Sequence, residues 1–198
     1  MFAPMHKFNS GGVEIAYQEA GEGPPILLIH GFASNARVNW WDTSWVKTLT
    51  DARRRVITFD HRGHGDSEKL YDSSLYPAAE MAEDARRLLD HLRIEQADVM
   101  GYSMGARVSA FLAIAHPQRV RRAVFAGLAS RMITGVGGAE AIALALEAPS
   151  RNDVPDLGAR AFRIFAEQTK SDLKALAACI RSSREKITQE ELATIRVP

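Results

Sequence analysis

The sequence predicts an α/β fold, a mostly parallel sheet flanked by helices, followed by a purely helical segment. Three observations predict it. Short uninterrupted apolar runs recur before Leu128, as strands covered on both faces require. Between those runs lie segments with apolar residues at helical spacing, and a helix joining two buried strands is most simply a crossover on a parallel sheet. Beyond Leu128 the helical pattern continues with no strand between its segments.

Val13–Glu19 alternates apolar and polar residues and reads as a strand with one exposed face. Gly21-Glu22-Gly23-Pro24-Pro25 is a turn, and Ile26–Ile29 is the first buried strand. Val56–Phe59, rich in β-branched residues, is the second. Met81, Ala85, Leu88, Leu89 and Leu92 then share one helical face. Glu80, Glu83 and Asp84 come early in it and Arg86 and Arg87 later, the order a helix dipole favours. Asp98–Met100 leads a third strand, Ala106–Ala115 is a nearly all-apolar helix ended by His116-Pro117, and Ala123–Ala126 is the fourth.

Ala139–Ala148, Leu157–Gln168 and Asp172–Ser182 are helical in pattern, punctuated by Pro149, Pro155 and Gly158. Thr188-Gln189-Glu190-Glu191 has the form of a capping box. The expected division is a core over 1–130, a helical lid over 131–193, and a lead-in to a further core strand over 194–198.

A chain of 198 residues, 46% hydrophobic and 25% charged, suits one well-buried domain rather than a disordered or fibrous one. A net charge of +1 provides no field to attract nucleic acid or acidic membranes, so neither partner is expected. No apolar stretch approaches the roughly 20 residues of a membrane span, and Met1–Ser10 has no apolar leader core. The single cysteine, Cys179, excludes an internal disulfide, fits a reducing cytoplasm, and reads as a small apolar helix residue rather than a reactive thiol.

The most informative segment is Gly101-Tyr102-Ser103-Met104-Gly105, which follows a strand and opens a helix. Its glycines permit a tight turn that lifts the Ser103 hydroxyl clear of the sheet, beside the free N–H groups of a helix N-terminus. His30-Gly31-Phe32 follows the first buried strand, so the N–H of Phe32 and that of Met104 are candidate oxyanion donors. His30 is either a general base or a residue that orients this loop, and the latter suits its position better.

Asp60–Ser67 is dense in histidine and aspartate, which invites a metal reading. Its glycines and its place after a strand suit a loop that bonds its own backbone, and no metal or cofactor is implied. Trp40, Trp41 and Trp45, with Asn35 and Asn39, either line a pocket beside Ser103 or pack as the start of an amphipathic helix. Arg53-Arg54-Arg55 reads as a solvated loop.

Together, Ile26–Phe32, Asp60–Ser67 and Gly101–Gly105, with His116-Pro117 closing the next helix, resemble the α/β-hydrolase superfamily over roughly Val13 to Leu128. The resemblance implies a serine hydrolase of esterase, C–C bond hydrolase or perhydrolase-like type. It disfavours the haloalkane dehalogenases and epoxide hydrolases, which carry aspartate where this chain has Ser103. It also implies that Ser103 attacks an acyl carbonyl after a histidine takes its proton, with Phe32 and Met104 holding the oxyanion and His30, Gly31, Gly101 and Gly105 shaping the loops. The helices after Met132 resemble the family's cap, and their Ala, Leu, Ile and Phe content suggests a small-molecule substrate with an apolar acyl or ring group.

The family's triad acid and histidine come after the nucleophile on later strands. Downstream of Ser103 the only histidine is His116, at the far end of its helix and more than about 15 Å away at 1.5 Å per residue. Asp153, Asp156 and Asp172 fall in the cap. The expectation is therefore a C-terminally truncated chain without a complete triad. Its Ala123–Ala126 strand becomes an apolar sheet edge able to pair with another copy. The alternatives are a non-catalytic binding or receptor protein on this fold and a short natural product that uses the edge as an interaction surface.

Overall fold

The computed structural model describes residues 3–198. Met1 and Phe2, which open both the expected core segment and the expected leaderless stretch, lie outside the described residues. Strands β1 (His6–Ser10), β2 (Val13–Ala20), β3 (Pro25–Ile29), β4 (Arg55–Phe59), β5 (Ala97–Tyr102) and β6 (Val120–Ala126) form a six-stranded sheet in the order β1-β2-β4-β3-β5-β6. Neighbours from β4 to β6 are parallel, whereas β1 and β2 form an antiparallel hairpin whose second strand pairs antiparallel with β4. β1, not anticipated from the sequence, has few apolar residues. Its signal is the turn Gly11-Gly12, both at positive φ (61° and 97°).

The exposed-face reading of β2 is corrected: Ile15, Ala16, Tyr17 and Gln18 are all buried. The chain following β4 folds over this strand. Asp60 donates its N–H to the Ala16 carbonyl (2.9 Å), and Ala16 donates to Ser67 Oγ (2.9 Å).

The continuous apolar runs follow from helices on both faces. Leu27, Ile29, Ile57, Phe59 and Val99 share a core with α2 (Ala78–His91) and α3 (Met104–Ala115). Ile26, Leu28 and Val56 pack on the other face against Trp40 of a π-helical turn (Arg37–Trp41) and Val46 of α1 (Trp45–Asp51).

The solvated reading of Arg53–Arg55 holds for the exposed Arg53 and is corrected for the other two. Arg55 opens β4 and pairs with Glu19 at 2.6 Å, and Arg54 reaches the buried Asp98 at 2.5 Å. Arg121 meets the same carboxylate at 2.8 Å. Desolvation works against the Asp98 charge, but these two guanidinium groups outweigh it and hold its pKa below the ordinary carboxylate value.

After β6 come α4 (Arg131–Thr134), α5 (Ala139–Glu147), α6 (Leu157–Gln168), α7 (Leu173–Ser182) and α8 (Gln189–Leu192). Asp156 caps α6 through the Ala159 N–H (2.6 Å), and Asp172 caps α7 through those of Lys174 and Ala175. The capping box is present: Thr188 accepts from the Glu191 N–H (3.1 Å), and Glu191 accepts from the Thr188 N–H (2.8 Å). Leu146, Ala166, Leu176 and Ile180 of this layer join the same apolar cluster as the sheet.

β6 is an edge strand with Val124 52% exposed, yet its edge is not bare: Ala123 donates to the Pro198 carbonyl (3.0 Å). Among the described residues no helix is long and apolar enough to cross a membrane.

Candidate active site

The chain runs from β3 to β4 on one side, then crosses back to place β5 on the other side of β3. Such a reversal opens a crevice at the carboxyl ends of the two central strands, the usual ligand position in open α/β sheets. The loop His30-Gly31-Phe32 leaves β3 there, and Ser103 leaves β5 beside it.

Ser103 has φ 53° and ψ −114°, a conformation that L-residues seldom adopt, and it is held there by its surroundings. Its N–H donates to the Ala126 carbonyl of β6 (2.8 Å), and its carbonyl accepts from the N–H of Ala106 (3.0 Å). The flanking glycines are required by close approach rather than by φ. A Cβ on Gly101 would lie 2.2 Å from the Gly105 carbonyl oxygen, and one on Gly105 would lie 2.0 Å from that of Ile29. The helix therefore starts in contact with β3, leaving the half-buried Ser103 hydroxyl facing the crevice cavities.

Gly31 lies close to the elbow as well: a Cβ there would be 3.5 Å from that of Ser103. The Gly31 N–H donates to Asn39 Oδ1 (3.0 Å), which pins the loop. Among the described residues neither the Phe32 nor the Met104 N–H has an acceptor, so both remain available to an incoming oxyanion.

His30 is fully buried and fixes this loop. Its Nε2 accepts from the His61 N–H (3.0 Å), so its proton sits on Nδ1, which donates to the Gly31 carbonyl (2.7 Å). Burial lowers its pKa to about 4. His64 is built in the same way, accepting from the Ala33 N–H on Nε2 (3.3 Å) and donating from Nδ1 to the Arg62 carbonyl (3.0 Å). Burial, then the neighbouring His30, lowers its pKa to about 3. His61 donates from Nε2 to the His30 carbonyl (3.2 Å), and burial drives its pKa well down.

Asp60 is occupied too, accepting from Ala36 (2.7 Å) and Asp66 (2.8 Å). Among the described residues no group of three or more His, Cys, Asp or Glu side chains is arranged to hold a metal. The histidine-rich segment is a scaffold behind the His30-Gly31-Phe32 loop. A buried ion pair anchors it, in which Arg62 grips Asp84 of α2 through Nε (2.7 Å) and Nη2 (2.8 Å).

Two cavities meet at Ser103 and Phe32. The smaller, about 150 Å³, runs under α4 and α7 past Met104, Leu128, Ile180 and the side chains of Arg107, Arg131 and Arg184. The larger, about 420 Å³, is bordered by Val38, Asn39, Tyr102, Phe162 and Phe165. Phe162 of α6 borders both, its ring 5.9 Å from that of Phe32, and Thr169 donates to the Ala33 carbonyl (2.9 Å). The helical layer thus closes over the crevice.

The tryptophans do not line either cavity. Trp40 is buried against the sheet, Trp41 donates to Thr58 Oγ1 (3.2 Å), and Trp45 is 42% exposed. Asn39 does reach the larger cavity, and Asn35 serves its own turn by accepting from Val38 (2.8 Å). Cys179 is buried, its thiol pushed up to about 12 by desolvation.

No histidine or carboxylate among the described residues lines either cavity. His116 pairs with Glu83 of α2 at the far end of α3. Asp156 and Asp172 are spent as helix caps, and Asp153 sits in an exposed turn. What sequence reasoning missed is the arginine trio. Arg107, one helical turn after Ser103, was the available signal, hidden within a helix read as nearly all-apolar.

A family model described as alpha/beta hydrolase fold matches residues 24–151. The chain is 36% identical over 135 residues to a 2-hydroxymuconate semialdehyde hydrolase of Pseudomonas sp. (strain CF600), covering 67% of this chain and 46% of that protein. It thus spans about half the length of that relative. Among solved structures, a hydrolase from Pseudomonas aeruginosa PA01 is similar at 26% identity and a TM-score of 0.77, covering 98% of this chain and 77% of that one. The enol-lactonase from Burkholderia xenovorans LB400 shares the fold at 21% identity and a TM-score of 0.79, covering 98% and 78%.

Proposed function

The chain belongs to the α/β hydrolase fold family, and from that premise we propose that it carries the nucleophile and oxyanion groups of a serine hydrolase. Its substrate is a small ester or related carbonyl compound, processed through an acyl-enzyme on Ser103. The observation that carries this reading is the Ser103 backbone: a serine at positive φ, held there by β6 and α3 at the mouth of two cavities. Strain of that kind costs on the order of 1–3 kcal/mol and persists where the surroundings impose it. A purely binding role gives no reason to keep it.

In the proposed reaction Ser103 Oγ attacks the acyl carbon. The Phe32 and Met104 N–H groups receive the developing oxyanion, and the leaving group departs with a proton. Water then releases the acyl group. The larger cavity takes the apolar acyl or ring group against Val38, Phe162 and Phe165, with α4–α8 serving as a lid.

The base cannot be drawn from His30, His61 or His64, whose ring nitrogens face backbone groups or the buried interior. His116 is engaged by Glu83, His91 meets the Tyr17 hydroxyl (3.2 Å), and His6 lies on β1 against the Tyr17 ring. No histidine or carboxylate among the described residues lines the cavities at Ser103, and we propose that other residues of the intact protein supply the base and its partner. Intact-mass measurement during turnover of 4-nitrophenyl butyrate tests the reading. The intact protein should carry one butyryl group on Ser103, and Ser103→Ala should carry none. Turnover with no adduct, undiminished in Ser103→Ala, would refute it.

A further inference from the structure

The smaller cavity beside Ser103 has an unusual charge balance. Three of its lining residues are arginines and none is acidic. Several arginines packed into the protein elsewhere have carboxylate partners: Arg62 with Asp84, Arg163 with Glu167, Arg54 and Arg121 with Asp98. The three in the cavity do not. Arg107, almost fully buried, donates only to the backbone carbonyls of Met132, Arg131 and Glu185. Arg184 donates only to those of Val136 and Gly137. The Arg131 side chain, on an exposed residue at the cavity rim, has no hydrogen-bond or ion-pair partner among the described residues.

Glu185 acts on Arg107 through space but does not line the cavity, and its carboxylate accepts from the Ala78 N–H (2.7 Å). Desolvation, then repulsion from Arg107, lowers the pKa of Arg184. Two neighbouring, partly desolvated cations, Arg107 and Arg184, with no carboxylate in contact cost folding free energy, and an anion in the cavity would offset that cost. Backbone carbonyls fix Arg107 and Arg184 in advance, so little side-chain entropy is lost when an anion arrives.

We propose that the substrate of Ser103 carries a carboxylate, which this cavity holds through Arg107, Arg131 and Arg184. The reacting carbonyl then lies at Ser103, a short apolar chain away past Leu128 and Ile180. The proposal rests on the serine hydrolase reading above and narrows it: the apolar acyl or ring group occupies the larger cavity, and the anionic end occupies the smaller one. Guanidinium forks match planar carboxylates with two parallel hydrogen bonds, which gives position as well as affinity.

The test compares two esters with acyl chains of equal length in the intact protein, 4-nitrophenyl hydrogen glutarate and 4-nitrophenyl pentanoate. The hemiglutarate should have a kcat/KM at least about tenfold higher, the size expected of hydrogen bonds to a charged group. Arg131→Gln should lower that ratio, and Arg131→Lys should restore part of it. A ratio near one, or one untouched by Arg131→Gln, overturns the proposal. Calorimetric titration of Ser103→Ala with glutarate and with neutral glutaramide separates the two readings. Glutarate binding weakened by Arg131→Gln supports the anion site even if neither ester is turned over, and equal binding of both ligands overturns it.

Discussion

Two polar regions adjoin the Ser103 elbow, and they differ in where their hydrogen-bonding capacity goes. Behind it, His30, His61, His64 and Asp60 direct their polar groups mainly at neighbouring backbone. In front of it, Arg107, Arg131 and Arg184 face a cavity with positive charge and no carboxylate. By residue type the first region looks the more chemical, since histidine and aspartate are the common catalytic and metal-binding residues. By hydrogen-bond accounting the second is the one with capacity left for a ligand. The presence of reactive residue types marks a site less reliably than polar groups left unspent.

The first region is a scaffold in this account, so breaking it should cost stability most. Arg62→Met leaves Asp84, which is fully buried, with only the Ser10 hydroxyl (2.5 Å) and the more distant Arg87 (3.9 Å). It should lower the unfolding free energy by about 3–5 kcal/mol, measured by urea denaturation. A loss below about 1 kcal/mol would show that the loop is held by other means. Gly105→Ala attacks the contact between elbow and sheet. A methyl group 2.0 Å from the Ile29 carbonyl forces α3 away from β3. It should cost about 1–3 kcal/mol and abolish acylation of Ser103; full acylation would break the positional argument.

The scaffold also predicts a pH dependence. His30 and His64 have folded pKa values of about 4 and about 3 against 6.5 when exposed. The unfolded chain therefore binds protons that the folded chain refuses. Their contribution is complete above pH 6.5 and is lost as pH falls below it, by up to about 1.4 kcal/mol per pH unit for each imidazole. His64→Gln retains a side-chain carbonyl acceptor and no titrating group, so it should flatten the fall in urea midpoint between about pH 6 and pH 5. An unchanged slope would show that His64 is not protected.

The smallest effect concerns the edge of β6. We propose that copies of the chain pair along it beyond the Ala123–Pro198 hydrogen bond. Val124→Lys, at an exposed position, should change stability by less than about 0.5 kcal/mol and convert a sedimenting dimer to monomer. A wild-type monomer at high concentration would remove the proposal.

Much of this was legible in the sequence. Ile26–Ile29 is apolar without interruption, and Val56–Phe59 and Ala106–Ala115 nearly so, because each is covered on two sides. The Gly-flanked serine was legible because no other residue fits beside the Ile29 carbonyl. β1 was not, since its HKFNS sequence gains its stability from pairing with β2 rather than from its own pattern. The Arg54–Asp98 and Arg62–Asp84 pairs join residues 44 and 22 positions apart, a distance no local pattern spans. The arginine trio was hidden for the same reason: its members come from α3, α4 and the segment after α7 and meet only in the folded chain.

The central claim is that Ser103 is an activated nucleophile presented between these two regions. The most direct measurement is peptide mapping of the intact protein after exposure to a fluorophosphonate probe. The account predicts a single adduct on Ser103, absent from Ser103→Ala and slowed by glutarate. Contradiction would come from an unlabelled Ser103 in folded protein, or from an adduct elsewhere that persists in Ser103→Ala.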